Sequence, residues 1–368
     1  MEANDEAGSP AFDARALDPT EHFTHLHVDN PGELIAAIPA MLGFFPTRSL
    51  VVALLSTDSL PPGMETFQAV IRFDIDDATT RHLARQVADS VDTICLRENL
   101  ASPMLIAVDD RDAAATTAVD VVFALLEAGL EPRHAWWVEN IATDEEYHDL
   151  LRLGRVGRVS DPRASTVALD HVLKGRQIHG SRAELVDFLA PNPALATQVR
   201  PLIDPAATKY RDRLAATNTT DCAIHHRREA TVWILAQIGV ADETLHTARD
   251  LAMIVVLLRD QTIRDIMYSL AATRWHGEAE ALWRQIASVT DGSDHAQAAT
   301  LFGYSAYYRD NTVLAAIAID AALQADPDHT ITQLFDISLS AGIRPDQIRR
   351  IADAGAEIAS DLGIDTTD

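Results

Sequence analysis

Cysteine is scarce in this chain, with only Cys95 and Cys222 among 368 residues. Two thiols far apart in sequence make neither a disulfide framework nor a zinc signature; they read as free thiols in a reducing compartment. Basic charge is short as well: 30 Lys+Arg stand against 55 Asp+Glu, a formal net charge of −25. That balance excludes broad attraction to nucleic acid or to anionic membranes, since both need a cationic face. Long apolar runs are missing. The longest, Leu251 to Leu258, has eight residues, where a membrane span takes about 20. Residues 1–20 are charged, carry Gly8, Pro10 and Pro19, and lack the apolar core of a signal peptide, so they are expected to be disordered. No Gly-x-Ser-x-Gly elbow, Walker loop, dinucleotide glycine fingerprint or His-Glu-x-x-His occurs. These absences predict a cytoplasmic protein outside the common enzyme classes, with no nucleic-acid or membrane partner.

What is present is enough for a sizeable core. Hydrophobic residues make up 47% of the chain, and its length suits roughly two domains of about 150 residues. The first half alternates strand and helix patterns. His22 to Val28 alternates like a strand. Asn30-Pro31-Gly32-Glu33 then opens a helix with a capping box, which Gly43 ends in a left-handed conformation. Leu50 to Leu55 is a continuous apolar run, as a strand buried on both faces requires. It should pair antiparallel with Thr66 to Phe73, because no helix fits between them. Further helices are expected over 78–96 and 113–128, with strands over 104–108 and 134–138. Helical crossovers between strands predict a mostly parallel, mixed sheet.

From Thr143 onward the pattern is helical, starting from capping boxes at Thr143-x-x-Glu146 and Ser181-x-x-Glu184, with one extended piece over 154–160. The expected organisation is therefore a disordered stretch over 1–20, an α/β sandwich over 21–160, a helical, basic connecting region over 161–205 and an all-α domain over 206–368. The proline-rich stretch Pro191 to Pro205 is the best boundary. In the tail, Gly303, Ala315, Ala322 and Pro327 have the spacing of a tetratricopeptide-like helix pair. An ordinary helical bundle fits equally well. If it is a repeat, its concave face offers a groove for a protein or peptide partner.

Two groups of residues could carry chemistry. Asp74, Asp76 and Asp77 follow one strand, Asp109, Asp110 and Asp112 the next, and Glu139 the third. Strand ends on one edge are where α/β proteins place ligands, and Asp74 and Asp109 could there hold Mg²⁺. Helix capping alone also explains their spacing. The second group lies in the one basic segment. From Arg152 to Arg213 there are eleven Lys+Arg and six Asp+Glu, a local +5. Arg155, Arg158, Arg163, Arg176 and Arg182, with Ser181 opening a helix, are the anion-binding candidates, since guanidinium forks match phosphate or carboxylate. Alternatively these arginines pair with acidic surface elsewhere in the chain. The histidines at 22, 25 and 27 find no carboxylate to complete a metal site within their strand. His225-His226-Arg227-Arg228 opens a helix, an unfavourable place for cations.

The stretch Pro39-Ala40-Met41-Leu42-Gly43-Phe44-Phe45-Pro46-Thr47-Arg48-Ser49-Leu50-Val51-Val52 resembles the opening of the actinobacterial domain of unknown function 4192 family. The likeness continues at Arg72-Phe73-Asp74, at Gly175-Arg176 with Ser181-Arg182, and at Ala321-Ala322-Leu323 before Asp326-Pro327. It spans about residues 22–350 and implies an intracellular actinobacterial protein, but supplies no activity. Family members often carry a cysteine-rich patch that residues 153–162 here lack. Sequence thus points to a non-enzymatic ligand-binding or protein-interaction module. The alternative is an enzyme that acts on a phosphorylated or carboxylated small molecule through the Arg-rich 152–182 segment.

Overall fold

The structure is a computed structural model that describes residues 12–16, 25–27, 30–56, 64–75, 80–98, 102–152, 154–173, 177–216, 220–239, 246–309, 311–340, 343 and 345–366. The chain divides into two compact units, Met1–Glu184 and Leu185–Asp368.

The first unit is built on one mixed sheet. Its strands are β1 (Phe12–Ala16), β2 (His25–His27), β3 (Ser49–Ser56), β4 (Met64–Asp74), β5 (Ser102–Val108), β6 (His134–Val138), β7 (Glu146–Asp149) and β8 (Val156–Arg158). They lie in the order β1-β4-β3-β5-β6-β7-β8, and β2 also pairs with β4. The β3–β4 hairpin is antiparallel, as the missing helix between them requires. The expectation of a mostly parallel sheet is corrected: β5 and β6 pair parallel, whereas β3 pairs antiparallel with both β4 and β5. The helix between β4 and β5 does join strands of one direction. Those strands are not neighbours, however, because β3 lies between them. β1 falls inside the stretch expected to be disordered and is held by antiparallel pairing to β4.

The helices of this unit are α1 (Pro31–Leu42), α2 (Thr80–Glu98), α3 (Asp112–Glu127), α4 (Thr166–Leu173) and the short α5 (Arg182–Val186), which runs into the second unit. One sheet face carries Leu50, Val52, Leu54, Ile71, Phe73, Leu105 and Ala107, which pack with Val87, Val91, Val121 and Leu125 of α2 and α3. The alternate positions Val51, Ala53, Val70, Met104, Ile106 and Trp136 are buried too. This double burial explains why β3 and β5 read as unbroken apolar runs. Gly43 ends α1 with φ +81 and donates its N–H to the Pro39 carbonyl. Asn30 precedes α1 but makes no side-chain capping bond.

The expected helix start at Thr143-x-x-Glu146 fails. Glu146 lies in β7 instead of in a helical first turn. Asp144 adopts φ 62 there and its N–H bonds the Val159 carbonyl, so the segment folds back as the β7–β8 hairpin. Tyr147 packs edge-on against Trp136, and His148 stacks on Trp137. The proline-rich stretch expected as the boundary is helical. Pro193–Ala215 is one helix, α6, with Pro193 in its first turn and Asn192 accepting from the Leu195 N–H at 3.1 Å. Its buried stripe is Ala196, Val199 and Ile203.

The rest of the second unit comprises α7 (Thr220–Ile238), α8 (Ala248–Leu258), α9 (Gln261–Met267) with a 3₁₀ turn over Tyr268–Ala272, α10 (His276–Val289), α11 (Gly292–Tyr308), α12 (Thr312–Ala325), α13 (Thr330–Ser340), α14 (Pro345–Ile348) and α15 (Arg350–Asp361). A mixed sheet region followed by a mostly helical one is therefore the fold class. The α11–α12 hairpin packs as its small residues predict. A Cβ at Gly303 would stand 3.2 Å from the Ala318 Cβ and 3.3 Å from the Ala315 carbonyl oxygen. Asn311 caps α12 through the Leu314 N–H, and α12 stops before Asp326-Pro327. Tetratricopeptide-like repetition is not seen among the described residues. The seven-residue α9 gives way to a 3₁₀ turn, and the four-residue α14 interrupts the last pair, so the helix lengths do not recur. No helix among the described residues is long and apolar enough to cross a membrane.

Candidate functional site

The register gathers several of the candidate residues on one edge of the sheet. Ser49 stands opposite Asp74 and Val108, and Val108 opposite Val138. The start of β3 and the ends of β4, β5 and β6 therefore share an edge. Arg48 and Ser49, at the start of β3, thus lie beside the carboxyl ends of the neighbouring strands. Arg72 is only 3% exposed there. Its Nε donates to Ser49 Oγ at 2.8 Å, its Nη2 bonds Asp74, and its guanidinium lies 6.0 Å from the Phe44 ring. Ser49 in turn donates to the Thr47 carbonyl at 2.7 Å. Arg48 has φ 47, and its carbonyl accepts the Ile75 N–H at 2.8 Å.

Asp109, 2% exposed, is gripped by Arg111 through Nε at 3.0 Å and Nη2 at 2.5 Å. Burial acts to raise its pKa, but hydrogen bonds from Arg111 and Asp110 and the Arg111 charge outweigh it, and the carboxyl sits below its ordinary value. The residue preceding α3 is Arg111, which makes no side-chain cap, so Asp109 holds an arginine where capping was expected. The metal reading of Asp74 and Asp109 gains nothing: each faces a guanidinium, and no group of three His, Cys, Asp or Glu among the described residues could hold a metal ion. Asp76 and Asp77 lie outside the described residues.

The segment over 177–182 joins the same neighbourhood. Phe44 forms a parallel bridge with His179, Phe45 donates to the His179 carbonyl at 3.0 Å, and His179 donates to the Gly43 carbonyl at 2.8 Å. Arg155 and Arg158 stand exposed on the β7–β8 hairpin, and Arg163 in the turn after it. Arg158 donates to the Asp144 carbonyl at 2.7 Å and pairs with Glu146 at 3.6 Å, acids of its own hairpin. Ser181 Oγ accepts the Glu184 N–H at 3.4 Å, while Glu184 turns back to the Gly180 N–H at 2.9 Å. The chain's own carboxylate thus occupies the start of α5, beside Arg182. Arg176 lies outside the described residues. The His225–Arg228 run is absorbed locally: His225 and His226 face Glu229, and Arg227 pairs with Asp260 at 3.0 Å.

An open cleft lies in the helical unit, where sequence reasoning placed no residue. Its volume is about 380 Å³, within the range of small-molecule sites. Val255, Leu258 and Arg259 at the end of α8 line it, with Arg264 of α9 and Ile286 of α10. The first turns of α11 add Ser293, Asp294 and Gln297, and the α12–α13 link adds Asp326, Asp328, His329 and Thr330. The two arginines are engaged. Arg259 holds Asp294 with both fork nitrogens, at 2.8 and 2.6 Å, and Arg264 holds Asp265 at 2.7 Å. Gln297 is only 8% exposed, and its amide is engaged with the buried Tyr268 hydroxyl.

His329 is positioned by a buried hydroxyl chain. Thr300 Oγ1 donates to the Ala296 carbonyl at 2.6 Å and so accepts from Thr332, 2.6 Å away. Thr332 then accepts from His329 Nδ1, also at 2.6 Å. The proton is fixed on Nδ1, which leaves Nε2 as an acceptor. Burial depresses the pKa of this imidazole; Asp326 opposes the shift and Arg264 adds to it. The sequence does carry a signal for this wall. Asp326-Pro327-Asp328-His329 compresses two carboxylates and an imidazole into the link between two apolar helices. Its proline draws the eye to helix termination instead.

Residues 31–346 match the model of a family described as a domain of unknown function, DUF4192, and the chain belongs to that family. No curated protein and no solved structure matches it.

Proposed function

We propose that this chain is a binding module for a small polar molecule, held in the cleft of its helical unit. The observation that carries this reading is the cleft itself, whose wall sets Asp326, Asp328 and His329 beside apolar side chains. The apolar patches of Val255, Leu258 and Ile286 beside a few polar groups suit a ligand of mixed character. Placement in the cytoplasm is supported by Cys95 and Cys222, neither of which is in a disulfide. The enzyme reading through the Arg-rich segment has weaker support, because the Arg158 guanidinium and the start of α5 are already served by local acids.

Mass spectrometry of gently denatured full-length protein tests the proposal. A low-molecular-weight compound should be released from the wild type and be depleted in Asp328→Asn, at an exposed position on the cleft wall, with unchanged circular dichroism. Identical small-molecule profiles from the two proteins would refute it.

A further inference from the structure

We infer that the chain forms a two-fold homodimer through the sheet face that α3 leaves open, with the acidic end of α3 in one copy set against the basic β7–β8 turn of the other.

The sheet outruns its helices. On the face that carries Leu50, Val52 and Leu105, α2 and α3 lie side by side, and α3 packs over β5 and β6. The strands β7 and β8 continue beyond β6. Trp137, His148 and Val156 are cross-strand neighbours in succession on β6, β7 and β8, and such neighbours share a face. That face is the one α3 covers, since Trp137 packs on the α2–α3 core while Trp136 and Tyr147 meet on the other. The row opens outward. The Trp137 ring is partly buried, the His148 ring stacked on it is more open, and Val156 is 51% exposed. Helix α3 adds Leu126 and Phe123, a full aromatic ring left 59% exposed. Contiguous apolar surface with a polar rim marks an interaction site.

The charges on its rim select the occupant. Glu127 ends α3, and Glu131 lies in the short link that leads into β6; both are exposed, and neither is in an ion pair among the described residues. Across the strip, Arg152 and Arg155 occupy the turn between β7 and β8, exposed and equally without an ion pair among the described residues. Trp136, near the start of β6, stands opposite Asp149 at the end of β7, so the acidic and the basic flank lie at the same end of the sheet. A half-turn about an axis between them carries the acidic flank of one copy onto the basic flank of the other, twice over, and sets the apolar strips face to face. An isologous interface requires a patch that is self-complementary in this way. A uniformly acidic or basic partner would satisfy one flank and be repelled by the other. The net charge of −25 does not forbid the contact, because exposed charges beyond about 8 Å are screened at physiological salt. The basic segment thus finds its acids on a second copy.

Sedimentation equilibrium of the full chain over a concentration series is the test. The wild type should reach twice the chain mass and no more. Phe123→Asp, at an exposed position, should weaken the dimer at least about tenfold with unchanged circular dichroism. Glu127→Arg and Arg152→Glu should each do the same, because each sets like charges together at both ends of the interface. An equimolar mixture of these two charge variants should associate like the wild type, since in the mixed pair every acid again meets a base. A wild type that stays monomeric, that grows beyond a dimer, or whose dimer is untouched by Phe123→Asp would overturn the inference. So would a mixture that associates no better than its two components.

Discussion

The same substitution at two buried helical glycines should have very different effects. Gly303→Ala and Gly355→Ala each gain about 1 kcal/mol of helix propensity. They differ in what the new methyl meets. At Gly303 the Cβ would stand 3.2 Å from the Ala318 Cβ, 3.3 Å from the Ala315 oxygen and 3.3 Å from Ile319 Cδ1. These contacts are tight, but small shifts of α12 and a rotation at the end of Ile319 relieve them. At Gly355 the Cβ would stand 2.5 Å from the Asp265 carbonyl oxygen and 3.2 Å from the Ser269 nitrogen. Both are backbone atoms, and a comfortable carbon–oxygen contact is about 3.3 Å or more. Helix α15 would have to withdraw by most of an ångström from α9 and the 3₁₀ turn. Overpacking of this kind costs roughly 1–3 kcal/mol, and a rigid backbone neighbour puts Gly355 at the upper end. After the propensity gain, Gly355→Ala should lose about 2 kcal/mol and Gly303→Ala should stay within about 1 kcal/mol of the wild type. For a unit of this size that is a fall of about 4–8 °C against a change within about 3 °C. Scanning calorimetry of the full chain, which resolves the transitions of two units, is the measurement. Equal shifts for the two variants, or a larger loss at Gly303, would refute the steric argument.

Two further outcomes are expected in the α/β unit. Arg48→Gly should leave the unit unchanged or stabilise it by about 1 kcal/mol, because a side chain at φ 47 carries a left-handed penalty of roughly 1–2 kcal/mol that glycine lacks; chemical denaturation showing a clear loss would mean that the Arg48 side chain itself holds the turn. Asp109 should make the unit acid-sensitive: its folded pKa is lowered, so its contribution is present above the unfolded value, near 3.9, and is lost as pH falls through the lower, folded value. Urea midpoints measured from pH 6 to pH 2.5 should decline at the acid end, and Asp109→Asn should flatten that part of the profile.

Local signals carried much of the architecture, and their failures have physical causes. Gly43, the apolar run of β3 and the stop at Asp326-Pro327 are decided within a few residues, and the structure follows them. Strand order is not local. The rule that helical crossovers join strands of one direction holds for β4 and β5, yet it does not say which strand slips between them. Pro201 and Pro205 read as breakers, but they lie four residues apart on one side of α6, and the buried stripe of Ala196, Val199 and Ile203 outweighs their lost hydrogen bonds. Thr143-x-x-Glu146 has the letters of a capping box, but Tyr147 and His148 find Trp136 and Trp137 across the sheet, and that pairing wins. The cleft escapes a linear reading for the same reason: Gln297, Asp328 and His329 come together only when α11 and α13 pack.

The family signature has a structural reading that changes where function is sought. Gly43, Phe44, Ser49, Arg72 and Asp74, which sequence alone joins only by resemblance, meet at one sheet edge, with the segment at His179 bonded to Gly43 and Phe45. The buried polar groups there bond one another, while the Asp74 side chain stays 40% exposed. Ser49 gives its proton to the Thr47 carbonyl and accepts from Arg72, Arg72 also donates to Asp74, and Asp109 is closed by Arg111. An arrangement so fully satisfied has little left with which to hold a ligand, and much with which to fix the entry of α1 into β3. The cleft of the helical unit differs: Asp326 and Asp328 on its wall pair with no Lys or Arg among the described residues. Satisfied polar networks specify a fold and unsatisfied ones wait for a partner. By that criterion, substitutions at the signature edge should be read out as stability, and substitutions in the cleft as binding.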